Sequence, residues 1–444
     1  MRKRIIRIPG RDFVAIAVLA ALATLACGAG HTLTMGSVVR TLDSDGIDAA
    51  VEEFRESFGD STGRNRLLYL MELGNLYRLA GDYPTAVRLF LEADRLSDLQ
   101  GAFKPGRRIA SLLTSDLALE FRDADYEKVM INYCLAVCYA AMGDVENALV
   151  ECRRLNNKLK VMNAAYGDMG NRYSDDAFVR YFSGVLYEKA GELNDALVAY
   201  RRSVYVYDEF YSRYYGLPAP DMVKIDVLRL CRELGFRSML EEYSASWPDL
   251  EPDSLYRDPG WGEIVVVAEV GFIPPRKEIS RTAVVNDRIY RIALPSIPEV
   301  RRMPHSLEAW SGDFTVRGFL AEDLTAIARK NLEDQAGRIL AKAVARLVLK
   351  AGVAEAGEEL VEKLTGEEGI ASGMAGFLLS LAGAFTERAD LRSWLTLPDR
   401  IYMARLTLPP GRRRVTVTMD GKTIHSGTVD VKPGDILLLF PRGG

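Results

Sequence analysis

Apolar positions in this chain follow two different periods. From residue 46 to about residue 250 they recur every three or four positions, as in helices with one buried face. Ile47, Ala50, Val51 and Phe54 predict one such helix, and Met222 to Leu234, ending at Gly235, predicts another. After Pro248 the pattern becomes strand-like. Glu263 to Val270 is a β-branched run, and Ile289 to Leu294, Ile401 to Leu408, Val415 to Met419, Thr423 to Val431 and Ile436 to Phe440 read as further strands. Asp420-Gly421, between two alternating runs, predicts a tight hairpin turn. Residues 318–389 break the strand pattern with a helical face that includes Leu324, Ile327, Ala328 and Leu332. The expected fold is therefore α+β and multidomain. An all-α domain at 46–250 precedes a small antiparallel β module, split into 255–317 and 390–444 by a helical insertion at 318–389.

Within the helical half, three segments share one spacing. Gly74, Tyr77, Gly81 and Ala86 are matched by Ala136, Tyr139, Gly143 and Ala148, and again by Gly184, Tyr187, Gly191 and Ala196. The small residue allows a close helix crossing, and the second glycine suits a left-handed helix end. This phasing resembles the tetratricopeptide (TPR) repeat, a helix-turn-helix unit that stacks into a solenoid with a concave face. The first and second segments are 62 residues apart, so a degenerate helix pair is expected over 98–127. The third follows after 48, with an insertion near Tyr166 to Asn171. The resemblance implies a partner-binding concave face. Its expected residues are Leu68, Met71, Asn75, Arg78, Met130, Tyr133, Val137, Phe178, Tyr181, Val185 and Glu188. The alternative is that another part of the same chain covers this row.

The N-terminus adds a location. Arg2, Lys3, Arg4, Arg7 and Arg11 precede an apolar run from Phe13 to Ala26, and Cys27 follows at once. This resembles a bacterial lipoprotein signal, which implies removal of residues 1–26, acylation of Cys27, and a tether at 27–45; the alternative is an ordinary signal peptide cut near the same place. The run is shorter than the ~20 residues a membrane span needs. An exported, membrane-anchored protein is expected, on the periplasmic face of the outer membrane where the organism has two membranes. Ile370 to Phe385 is a second uncharged stretch, of 16 residues, read as a buried helix or as a membrane-facing amphipathic element.

Charge and candidate chemistry narrow the function. Net charge is −4 over 444 residues; residues 1–26 carry +4, so their removal leaves −8, with no basic block to attract nucleic acid. Cys134, Cys138, Cys152 and Cys231 lack zinc-knuckle spacing and read as buried apolar residues. His31, His305 and His425 are scattered, and no nucleophile elbow, phosphate loop or metalloprotease motif is present. Glu358-Glu359 and Glu367-Glu368 read as solvated helix acids, and Arg412 to Arg414 as a solvated strand start. No cofactor and no metal are expected.

Tyr126 to Asn132, Phe178 to Gly184, Gly262 to Lys277, and Asp390 to Pro398 leading into Ala404-Arg405-Leu406 and Pro409 to Gly411 together resemble a family of uncharacterised bacterial envelope lipoproteins with TPR repeats. That family has no assigned reaction; the signal-like cysteine, the three phased repeats and the missing catalytic motifs point to a non-catalytic scaffold for protein partners in the envelope. Alternatives are a peptidoglycan-binding β module, with Trp261, Trp310 or Trp394 in its cleft, and a membrane-assembly component using Ile370 to Phe385. Asp390 and Arg392, against Arg276 and Lys277, are expected to pin the helical insertion to the sheet.

Overall fold

The computed structural model describes residues 27–58, 62–101, 120–166, 173, 175–250, 258, 260–285, 288–299, 302–336 and 389–443. Helices occupy the first half: α1 (Cys27–Asp45), α2 (Ile47–Ser57), α3 (Arg66–Leu79), α4 (Tyr83–Gly101), α5 (Asp125–Ala141), α6 (Val145–Tyr166), α7 (Ala177–Lys189) and α8 (Leu193–Val206). A π-helical turn, Tyr207–Tyr211, leads into α9 (Ser212–Tyr215), α10 (Asp221–Glu233) and α11 (Arg237–Ser246).

Four helix pairs, α3–α4, α5–α6, α7–α8 and α10–α11, turn in the same way. Gly81, Gly143, Gly191 and Gly235 hold φ of 80°, 80°, 79° and 74°. The residue after each donates its N–H back across the turn: Asp82 to Tyr77 O at 3.0 Å, and Asp144 to Tyr139 O, Glu192 to Tyr187 O and Phe236 to Cys231 O at 2.8 Å. These are the six-to-one bonds that satisfy the last carbonyls of a helix. The small residues do the expected work at the crossings. A Cβ on Gly184 would lie 2.3 Å from the Tyr200 ring, and one on Gly74 would lie 2.9 Å from Phe90. The array is a TPR-type solenoid with one pair more than its motif announces.

Residues 27–45 are not a tether. They form α1, whose Met35 and Val38 pack with Ala50, Val51 and Phe54 of α2 and Leu73 and Leu76 of α3. Of the expected degenerate pair at 98–127, residues 102–119 lie outside the described residues, as do 1–26, 167–172 and 337–388, which include Glu358, Glu367 and the Ile370 to Phe385 stretch. Among the described residues no helix is long and apolar enough to cross a membrane.

The second half holds β1 (Gly262–Val270), β2 (Lys277–Val285), β3 (Arg288–Ser296), β4 (Leu307–Ser311), β5 (Phe314–Arg317), β6 (Phe319–Asp323), β7 (Arg400–Leu408), β8 (Gly411–Met419), β9 (Lys422–Val431), β10 (Ile436–Leu439) and β11 (Arg442–Gly443). Strand pairing thus reaches Asp323, and helix begins only at 324 and holds through 336, the last described residue before 389. One sheet has the order β10-β1-β7-β6, with β11 also on β1; another is β5-β4-β8-β9; β2 and β3 form a separate hairpin. Neighbours run antiparallel except that β10 and β11 lie parallel to β1. The expected turn is present, with φ of 52° at Asp420 and 77° at Gly421.

The pleat of β1 and β7 explains the layering. Ile264, Val266 and Ala268 of β1 and Tyr402, Ala404 and Leu406 of β7 face the second sheet, meeting Leu307, Val415 and Val417. The alternate residues Val265, Val267, Ile401 and Met403 belong instead to the core of the helical array. β1 is buried along its whole length because it has a packed layer on both sides. That shared core runs from Leu67 in α3 to Ile436 in β10, so the module and the solenoid fold around one interior.

Candidate functional site in the inner groove of the array

The first helix of each pair faces the C-terminal module: α3 through Glu72 and Arg78, α5 through Glu127 and Tyr133, α7 through Glu188 and α10 through Asp226. All eleven residues expected on this face are there, and all are buried: Leu68, Met71, Asn75, Phe178, Tyr181 and Val185 at 0% exposure, and Glu188 highest at 8%. Leu68, Met71, Met130, Val137, Phe178 and Val185 enter the shared core. Asn75, Arg78, Tyr133, Tyr181 and Glu188 make polar contacts. The expectation of a face open to partners is corrected by the occupant: the chain's own C-terminal module fills the groove.

The groove holds residues 393–396 by their main chain. Glu72 of α3 accepts the N–H groups of Leu395 at 2.7 Å and Thr396 at 3.0 Å, and the Thr396 hydroxyl at 2.6 Å. Glu127 of α5 accepts the Trp394 N–H at 2.9 Å. Asn75 donates to Thr396 O at 2.6 Å, and His31 Nε2 lies 3.0 Å from Ser393 O. The Trp394 side chain is fully buried against Phe90. Carboxylates are the strongest acceptors a groove can offer to main-chain donors. Arg276 bonds Arg392 O at 2.8 Å and reaches Glu127 at 3.6 Å, while Arg392 pairs with Asp390 at 2.6 Å. Through Arg276 and Glu127 these contacts tie 390–394 to the array, while residues 337–388 of the insertion they were expected to pin lie outside the described residues.

Two charged clusters close the seam on either side of the middle of β1. At one end, Arg78 pairs with Glu269 of β1 at 2.6 Å, and the Tyr133 hydroxyl donates to the same carboxylate at 3.2 Å. At the other, Arg405 of β7 reaches Asp226 at 2.7 Å, Glu188 at 3.1 Å and Glu263. Arg229 joins Glu188 at 2.8 Å and Asp226 at 2.9 Å, and Tyr181 donates to Asp226 at 2.6 Å. Burial works against the charge on Arg405, but Asp226, Glu263 and Glu188 outweigh it and hold the guanidinium charged far above its usual range.

A third cluster is acidic. In β6 the register shifts between Leu320 and Glu322, and the freed Ala321 carbonyl accepts the Tyr207 hydroxyl at 2.6 Å. The bulge thus meets the π-helical turn. Beside it, the Tyr211 hydroxyl is 3.4 Å from Glu322, and Asp176, the N-cap of α7, accepts from Val179 N–H at 2.8 Å and from the Tyr173 hydroxyl at 2.7 Å. Burial pushes Asp176 up to about 6. Burial and the nearby Asp176 charge push Glu322 well above the carboxylate range.

Glu72, Glu127, Asp226, Glu263, Glu269 and Arg405 were missed by sequence reasoning. A signal existed for two of them: Glu72 is four residues after Leu68 and three before Asn75, and Glu127 is three before Met130, so both share the groove face. His31 was expected in the tether; it is buried in the groove. The four cysteines are free and buried, and burial pushes the Cys138 and Cys152 thiols up to about 12.

No protein-family model matches this sequence, and no curated protein does. Solved structures resemble it loosely. A kinesin light chain with nearly identical TPR-like repeats from Podosopora anserina is 13% identical, covering 50% of this chain and 95% of its own, with a TM-score of 0.33. BtubC from P. vanneervenii is 17% identical over 55% of this chain and 91% of its own, at 0.36. A tetratricopeptide repeat protein from Parabacteroides merdae is 15% identical over 52% and 70%, at 0.32.

Proposed function

We propose that this protein is a non-catalytic interaction scaffold of the cell envelope, anchored by a lipid on Cys27, with its repeat groove given over to its own C-terminal module. One observation carries the scaffold reading. The groove grips an extended segment through main-chain bonds from Glu72, Glu127 and Asn75, as a helical-repeat groove holds a peptide. Because that groove is filled, protein partners meet the outer helices. There Leu91 and Leu99 of α4, Val150 and Val161 of α6, and Val198 and Tyr205 of α8 are exposed. The anchor reading rests on the signal-like residues 1–27. The docking of α1 supports a close approach to the bilayer, since Cys27 is only ~12 Å of helix from the packed Met35.

The test combines location and contact. Wild type is expected to sediment with membranes and a Cys27→Ser form to be released; wild type found free in solution would sink the anchor. Photo-crosslinking residues at Val150 and Val198 are expected to capture protein, and one at Tyr133 to capture none. Adducts from Tyr133 alone would overturn the outward-facing scaffold. Retention on purified peptidoglycan with no protein captured would favour the glycan-binding alternative; for that reading Trp394 is already buried, and Trp310 on β4 is half-buried.

A further inference from the structure

Arg442 on β11 lies opposite Glu269 in the parallel register with β1. Such a pair would ordinarily join its charges across the strands. Glu269 instead gives its carboxylate to Arg78 and Tyr133. The Arg442 guanidinium is left lying on the Phe272 ring, 3.8 Å from its centroid, without an ion pair among the described residues. It is half-buried, and its neighbour Arg78 carries the same sign. Burial is the main influence and pushes Arg442 down to about 10; Glu269 opposes it, Arg78 adds to it, and Asp43 opposes it.

A half-buried cation that makes no direct ion pair among the described residues is costly, and a planar guanidinium fixed on an aromatic face still offers its N–H fork. The geometry points to Arg442 as the anchor of an oxoanion site at the seam between array and module, taking a carboxylate or a phosphate group in bidentate fashion. The site is independent of the scaffold reading.

The full-length protein in detergent tests this by calorimetric titration and thermal unfolding in sodium chloride, sodium acetate and sodium phosphate at matched ionic strength. A saturable rise in Tm with acetate or phosphate over chloride is expected, with matching heat of binding. Saturation by acetate alone assigns a carboxylate ligand, and by phosphate alone a phosphate ligand. Arg442→Gln should lose the binding and, in chloride, unfold no earlier than wild type, because an uncompensated charge has gone. Arg442→Lys, which keeps the charge and loses the fork, should weaken binding about 10-fold or more. An equal rise in Arg442→Gln, a rise that never saturates, or no rise in any protein would overturn the site. Earlier unfolding of Arg442→Gln in chloride would show that the cation is already compensated, and would overturn it too.

Discussion

Glu72 accepts both the main-chain N–H and the hydroxyl of Thr396, at 3.0 and 2.6 Å, across 324 residues of chain. One carboxylate on the third helix thereby sets the path of the segment that leads into the central strand β7. Glu72→Gln keeps the shape but replaces one acceptor oxygen with a donor, facing donors. It should cost about 1–3 kcal/mol in urea unfolding. A loss under about 0.5 kcal/mol would mean the clamp is incidental.

Met71 lies fully buried in the seam among apolar residues, so placing Glu there buries a charge. Met71→Glu should therefore destabilise the whole fold, by roughly 3 kcal/mol or more, rather than remove partner binding from an intact protein. Circular dichroism melts would show it; a native-like melt with lost partner capture would instead restore the groove as an open binding face.

Arg405 serves three carboxylates. Arg405→Met removes the guanidinium that Glu188, Asp226 and Glu263 share and should cost about 3–5 kcal/mol. Adding Glu263→Met should recover part of that loss, because a carboxylate that faced the lost guanidinium goes with it. A double-mutant cycle measures the coupling, and strict additivity would contradict the network.

Asp176 gives the seam a pH dependence. Its folded-state value of about 6 lies above the ordinary 3.8. The folded protein therefore holds this proton more tightly than the unfolded chain. Stability from the group is complete below about pH 4 and is lost as pH rises through about 6, by on the order of 2–3 kcal/mol. Asp175 and Asp323 are neutralised by their own arginines, Asp175 by Arg180 and Arg202 and Asp323 by Arg302 and Arg400. Glu322 shifts in the same direction and adds to the effect. Asp176→Asn should flatten the difference in urea midpoint between pH 4.5 and pH 7.5; an unchanged difference would place the titration elsewhere.

The two kinds of repeat glycine should fail differently. Gly184→Ala drives a methyl into Tyr200 and should cost at least about 1–3 kcal/mol by overpacking. Gly235→Ala meets open space and pays only for its positive φ, about 1 kcal/mol. Equal losses in thermal melts would undo this distinction.

The repeat turns were legible in sequence because a left-handed helix end and a close crossing each demand glycine or another small residue at a set spacing. Where Leu228 and Cys231 replace the small residue and the tyrosine, the α10–α11 pair kept only Gly235 as a marker. The short strands β4, β5 and β6 were not legible, since four or five residues carry too little period to tell from loop. Expecting helix from 318 overran β6 for that reason.

Local chemistry, then, was enough to determine the helix pairs, the Asp420-Gly421 hairpin and the row of groove-facing side chains, because each depends on residues within a few positions of one another. Tertiary structure alone decided what fills the groove. Glu263, Glu269 and Arg405 lie on the same face of β1 and β7, the two glutamates at either end of an apolar run. Only the packing of a second layer turns that face inward and matches those charges to Asp226, Glu188 and Arg78. Pairings such as Arg78 with Glu269 and Glu72 with Thr396, 191 and 324 residues apart, leave no periodic trace, since they depend on how two finished elements meet.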